Sequence, residues 1–195
     1  MKLLATPNSP YCRIARICAL EVDVDLDVEF VGVRDRAKEI LEFNPAGKVP
    51  TLIDDRGYVL SDTRMICEVL QTYSEVMFLA PLDHWEQRAW EGYSTGFLDG
   101  VAVWVREERR DPGDKSDVVT NLERARAERC LEYFDTNWAL RAKSINYATA
   151  TLFSALELMD TRVARDQIYR YPKLSRWYDA TRDTASIEKT RPQSA

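Results

Sequence analysis

The hydrophobic positions of the first eighty residues keep two different periods. KLLA at residues 2–5 is a short apolar run, followed by the punctuation TPNSP. From Cys12 onward, Ile14, Ile17, Cys18 and Val22 recur at helical spacing and predict a helix over CRIARICALE. DVEFVGV at 27–33 alternates as a half-buried strand does. AKEILEFN reads as a short helix stopped by Asn44-Pro45 and Gly47. TLID and YVL flank the turn DDRG, which predicts a hairpin over 51–60. TRMICEVLQTY then places Ile66, Val69, Leu70 and Tyr73 on one helical face. The order β-α-β-α-β-β-α implies a small sheet with helices packed on it. A closing hairpin makes that sheet mixed rather than wholly parallel. The segment is too small for a dinucleotide fold, and no GxGxxG follows its first strand.

After Leu79-Ala80-Pro81 the strand pattern stops. From Asp83 to about Asp111 a long helix is predicted, with Trp90, Tyr93, Phe97, Val101 and Trp104 at helical spacing. DPGDKS breaks it. LERARAERCLEYFDTNWAL resumes the helical period, and NYATATLFSALELMD forms another helix after a break at Ala142–Asn146. Pro172 opens a further helix, KLSRWYDAT. The chain therefore reads as two domains. An α/β domain spans 1–79, and an all-α bundle spans 83–195.

Composition narrows the chemistry. The 195 residues suffice for a real core, and 45% hydrophobic with 30% charged residues and seven glycines indicates a folded, helix-rich chain. A formal charge of -5, with basic residues interleaved among acids in REERRD and RARAER, argues against nucleic acid as a partner. No apolar run approaches the roughly 18 residues of a membrane span. MKLLATPNSPYC lacks the long apolar stretch of a signal peptide. Cys12, Cys18, Cys67 and Cys130 stand singly, and His84 is the one histidine, so neither zinc nor any other metal is expected. Reduced thiols in the cytoplasm are the natural reading, most of them as small core hydrophobes.

Three places can carry chemistry. Ser9 and Pro10 read as N-cap and N1 of the first helix. A serine there satisfies an orphan N–H and needs no further purpose. The alternative is that the helix start and the hydroxyl together hold an anionic sulfur. Lowering a thiol pKa by two units takes about 2.7 kcal/mol. A helix end supplies about 0.3–1 kcal/mol, and a hydrogen bond to a charged group about 1.5–3 kcal/mol. Together they suffice. Cys12, at N3, lacks the second cysteine of the Cys-Pro-Tyr-Cys arrangement and is expected to pack inward. Pro50 opens a strand, where proline is tolerated. Ser61 or Asp62 is expected to cap the helix that follows.

SPYCRIARI, NPAGKVPTLID and SDTRMICEVL, taken with the helical second half, make the chain resemble the glutathione S-transferase superfamily over nearly its whole length, and its short bacterial members in particular. The resemblance implies an α+β protein: a thioredoxin-like glutathione-binding domain with a mixed four-stranded sheet, then the all-helical domain. It implies a transferase of detoxification type, a cytoplasmic homodimer with glutathione as co-substrate and a small hydrophobic electrophile as partner. Ser9 would donate to the glutathione sulfur, with Tyr11 or Cys12 as other candidates for that role. Val49, ahead of a cis Pro50, would pair its main chain with the cysteinyl part. Asp62 would face the γ-glutamyl amino group, Thr63 its carboxylate, and Lys48 the glycyl carboxylate. Tyr11, Tyr93, Phe97, Trp104 and Arg106, with Val101 beside them, would line the electrophile site between the domains. Two rival readings stay open: a glutathione-dependent thioltransferase or peroxidase, and a non-catalytic interaction module on the same fold.

One motif departs from the superfamily. Its usual Ser/Thr-x-x-Asp capping box is Asn146-Tyr147-Ala148-Thr149 here. Asn146 is a good N-cap, whereas Thr149, lacking a carboxylate, is expected to leave the reciprocal bond unmade.

Overall fold

KLLA does not alternate because β1 (Lys2–Ala5) is an inner strand, with Leu3, Leu4 and Ala5 all buried. In the computed structural model, which describes residues 1–34, 37–137 and 144–193, β1 pairs parallel with β2 (Asp27–Phe30). On its other side β1 pairs antiparallel with β3 (Thr51–Ile53), which pairs antiparallel with β4 (Val59–Leu60). The sheet is therefore mixed and four-stranded, in the order β2-β1-β3-β4. β2 ends before the expected residue 33: Val31 still donates to Ala5 O at 2.9 Å, but Arg34 takes a left-handed backbone (φ 64°) that breaks the extended run.

α1 (Pro10–Glu21) and α3 (Thr63–Gln71) pack together through most of the residues their periodicity marked, with Cys67 added and Val69 only half-buried. Ile14, Ile17, Cys18, Ile66, Cys67 and Leu70 are all at or below 1% exposure. α2 (Lys38–Leu41) buries Ile40 against Leu4, Val31 and Ala37, and the side chains of Val49 and Ile53 lean on that cluster. Tyr73 is not on the buried face, as its spacing suggested, but is 56% exposed. α3 stops at Gln71, whose Oε1 accepts the N–H groups of Phe78 and Leu79 at 2.8 and 2.7 Å and turns the chain away.

The chain divides into two compact units, Pro81–Thr184 being the second. Its helices are α4 (Trp85–Glu108), α5 (Asp117–Asn137), α6 (Tyr147–Arg162) and α7 (Pro172–Arg182). α6 is the core helix, buried from Tyr147 to Leu156 and packed chiefly on α4. α5 starts at Asp117 rather than Leu122, because Ser116 donates its N–H to Glu107 Oε1 at 2.6 Å and accepts that of Val119 at 3.4 Å. The expected end of this helix at 140 lies outside the described residues.

The capping box of α6 is complete, contrary to the expectation from Thr149. Asn146 Oδ1 accepts the Thr149 N–H at 3.1 Å, and Thr149 Oγ1 accepts the Asn146 N–H at 2.7 Å. A hydroxyl oxygen is an acceptor too, and at N3 it reaches far enough.

The last helix, α8 (Ala185–Lys189), belongs with the first unit rather than with the bundle that the sequence ran from 83 to 195. Arg13 of α1 is 3% exposed, so its guanidinium requires acceptors within the fold. It donates to Ile187 O at 3.0 Å and to Thr190 Oγ1 at 3.3 Å. Among the described residues no helix is long and apolar enough to cross a membrane.

Candidate functional site

Ser9 has extended backbone (φ -79°, ψ 123°) and caps α1, with Pro10 behind it at N1. Its Oγ accepts the Cys12 N–H at 3.3 Å, and its carbonyl accepts that of Arg13 at 3.0 Å. Ser9, Pro10 and Tyr11 are half-buried and so retain a path to solvent. Cys12 does not: it has no exposed surface. Burial pushes the Cys12 thiol up, against the opposing pull of hydrogen bonds from Ser9 and Thr6 and the charge of Arg16. At the corner where a sulfur would be activated, the accessible polar group is therefore a hydroxyl.

The loop after α2 is organised from within by Asn44, a buried side chain that sequence reasoning read only as a helix stop. Asn44 Nδ2 donates to Lys48 O at 3.1 Å and to Thr51 Oγ1 at 2.9 Å, while its Oδ1 accepts the Ala46 N–H at 2.9 Å. Thr51 Oγ1 in turn donates to Lys48 O at 2.9 Å. Gly47 supplies the left-handed turn (φ 60°), and the Val49–Pro50 peptide is cis, as the resemblance implies. The Val49 side chain is anchored on the cluster around Ile40. Its main-chain N–H and C=O take no partner among the described residues. They stand as an unpaired strand edge would, able to receive an extended peptide. Lys48 is exposed beside them.

Between this loop and α3 the hairpin is tied by Asp54, which sequence reasoning placed in the DDRG turn without a role for its carboxylate. Asp54 Oδ1 accepts the N–H groups of Arg56 and Tyr58 at 2.9 and 2.8 Å, and Oδ2 pairs with Arg56 Nε at 2.9 Å. Burial opposes its charge, yet the bonds from Tyr58 and Arg56 outweigh that and hold the carboxyl below its usual range.

Asp62, not Ser61, caps α3. Its Oδ1 accepts the N–H groups of Arg64 at 3.0 Å and Met65 at 3.3 Å, and the side chain is exposed. Thr63 follows at N1 and is 5% exposed. An N1 amide has no acceptor within its own helix, so the start of α3 offers the Thr63 N–H and the positive end of a dipole. All six candidate glutathione residues thus lie in the first unit, at the helix starts and the cis-proline loop.

The candidate electrophile residues of α4 are divided. Phe97 and Trp104 are core, 1% and 3% exposed. The Phe97 ring lies 6.0 Å from that of Phe134, and Trp104 Nε1 donates to Glu108 Oε1 at 3.3 Å. Val101 is buried with them. Tyr93 is 48% exposed, edge-on to Trp90 and Tyr133, and Arg106 is exposed. Among the described residues no group of His, Cys, Asp or Glu is placed to hold a metal ion.

The family profile described as "Glutathione S-transferase, N-terminal domain" matches residues 3–75. A glutathione S-transferase of Methylobacillus flagellatus KT, solved with glutathione bound, is 30% identical and superposes with a TM-score of 0.87 over 98% of this chain and 99% of its own. The chain belongs to the glutathione S-transferase superfamily. A glutathione transferase family member of Pseudomonas fluorescens Pf-5, solved with glutathione, shares the superfamily's fold at a TM-score of 0.91 with 24% identity, over 99% of both chains. The GST-like protein YibF of Escherichia coli K12 is 25% identical over the full length of both chains. The N-terminal profile spans β1 to just beyond α3, so it includes every candidate glutathione contact, from Ser9 to Thr63.

Proposed function

We propose that this chain is a glutathione transferase that borrows the sulfur of glutathione. Glutathione lies along the cis-proline loop, and its cysteinyl part pairs with the main chain of Val49. The γ-glutamyl end meets Asp62 and Thr63 at the start of α3, and Lys48 faces the glycyl carboxylate. A zwitterionic tripeptide needs an acid, a donor pair and a cation at separate points. The Ser9 hydroxyl and the start of α1 hold the thiolate, which attacks a small hydrophobic electrophile. Binding supplies a lowered thiol pKa and a positioned nucleophile, with no separate base. Of the α4 candidates for the electrophile, Tyr93 and Arg106 keep exposed side chains. Phe97 and Trp104 are buried within the helical unit.

One contrast carries this reading: Ser9 reaches solvent while Cys12, with its raised thiol pKa, does not. It favours a borrowed sulfur over the thioltransferase alternative, which needs Cys12 as nucleophile. Exposed Met65, Tyr73, Val76 and Met77 on the first unit, and Leu82 and Trp85 on the second, support a homodimer, since isolated chains rarely leave so many large apolar side chains in water.

The test is calorimetric titration of glutathione into the wild type and Ser9→Ala, with thiolate absorbance followed against pH. Similar affinity, with a bound-thiol pKa higher by about one unit in the variant, supports Ser9 as the sulfur's partner; one unit is about 1.4 kcal/mol. Equal pKa values would move that role to Tyr11 or the helix end. No binding by the wild type would leave an interaction module.

A further inference from the structure

Two of the four cysteines meet where α1 packs on α3. The Cys18 thiol donates to the main-chain oxygen of Cys67 at 3.9 Å, which brings Cys18 Sγ beside Cys67. Both have no exposed surface. The other thiols are placed differently: Cys12 sits at the start of α1, and Cys130 lies on α5, only partly buried, in the second unit. A lone buried thiol is a small hydrophobe, but two neighbouring cysteines across a helix pair can act as a dithiol as well.

We propose that Cys18 and Cys67 are a latent dithiol, which a low-molecular-weight disulfide such as glutathione disulfide oxidises to an intramolecular bond stapling α1 to α3. These are the helices whose first turns carry Ser9 and Asp62–Thr63. The inference rests on the meeting of the two thiols and stands whether or not glutathione occupies the proposed site.

Burial first, and then the neighbouring Cys18, push the Cys67 thiol well above its ordinary range, and neither side chain reaches solvent, so the closed protein keeps the pair from reacting. Reaction begins when α3, a nine-residue helix, opens locally and both thiols meet solvent. One thiolate then attacks a sulfur of glutathione disulfide. A protein–glutathione S–S bond forms, the original S–S bond breaks, and a glutathione thiolate leaves. As α3 closes, its packing brings the second protein thiolate against the protein-side sulfur of that mixed disulfide. The Cys18–Cys67 bond forms and the second glutathione thiolate leaves. In total two protein thiols are oxidised and one glutathione disulfide is reduced to two thiols. The second step is intramolecular between residues the fold already holds side by side, so it outruns loss of the mixed disulfide.

The experiment incubates the full wild-type chain with glutathione disulfide at temperatures below its melting transition, followed by acid quench, alkylation, intact mass and peptide mapping. The expected product has lost two hydrogens, carries no glutathione, and yields a crosslinked Cys18–Cys67 peptide. It melts at higher temperature than the reduced protein and reverts with dithiothreitol. Cys67→Ala, checked for folding by circular dichroism, is expected to stop at glutathione on Cys18. Wild type in which all four thiols stay free, or in which only Cys130 takes up glutathione, overturns the proposal. So does a crosslink that joins any other pair.

Discussion

Asn44 and Thr51 hold the two ends of the cis-proline loop together, with Asn44 Nδ2 2.9 Å from Thr51 Oγ1 and both hydrogen-bonded to the carbonyl of Lys48. That oxygen precedes Val49, so the same bonds that saturate it orient the next peptide unit. The loop is thereby set before any ligand arrives, so a ligand pairing with the Val49 main chain would meet a preordered partner.

Asn44→Ala removes both donors and the acceptor for Ala46. The expected stability loss is about 1–3 kcal/mol, the cost of leaving buried polar groups unpaired, and chemical denaturation measures it. Glutathione affinity is expected to fall severalfold in calorimetry, while the thiol pKa of whatever glutathione does bind stays at the wild-type value, since Ser9 is on a different element. An unchanged affinity would separate the loop from the ligand.

Cys12→Ala is expected to keep glutathione binding and turnover with a standard aromatic electrophile. The price is packing alone, on the order of 1 kcal/mol for one small buried group. Loss of turnover with binding intact would make Cys12 the nucleophile and return the thioltransferase reading.

Asp54 predicts a pH signature. Its folded-state carboxyl is held below its ordinary range, so its contribution is present at neutral pH and disappears as pH falls through the folded value. Asp54→Asn is expected to melt lower than wild type at pH 7. The gap should narrow as pH is lowered from 5 towards 3, because the wild-type carboxylate is then being protonated. A gap that is constant with pH would mean that the hairpin bonds do not depend on the charge.

Asp135 of α5 serves α7 as a cap from outside. Its Oδ1 accepts the N–H groups of Lys173 and Leu174, both at 2.8 Å, where Tyr171 at the N-cap position offers no side-chain acceptor. Asp135→Ala is expected to cost about 1 kcal/mol, as removal of a side-chain cap does, and Asp135→Asn less. Thermal unfolding of the two variants measures it.

What the sequence made legible were the features that local chemistry decides. Ile14, Ile17 and Cys18 marked the inward face of α1, Ser9-Pro10 its start, and DDRG the hairpin, because periodicity, capping and turn residues act within a few positions. Hidden were the features that depend on partners far along the chain or on reading a side chain in its less usual role. Nothing near Arg13 announces that its acceptors lie at Ile187 and Thr190. Thr149 looked deficient because a carboxylate was sought where a hydroxyl serves. Asn44 was seen as a helix stop, although its side chain ties down three residues of the loop ahead. Tyr73 fitted the helical period, but the side chain of Gln71 ends the helix two residues earlier.

The contact of Arg13 with the far end of the chain sets an order on biosynthesis. A ribosome completes every strand and the first three helices of the α/β unit long before Ile187 and Thr190 are translated. The whole of α4 to α7 must emerge before those two acceptors can reach α1. The first unit to be made is therefore the last to be finished, and a nascent chain carries an incompletely satisfied α1 through the synthesis of its entire helical unit.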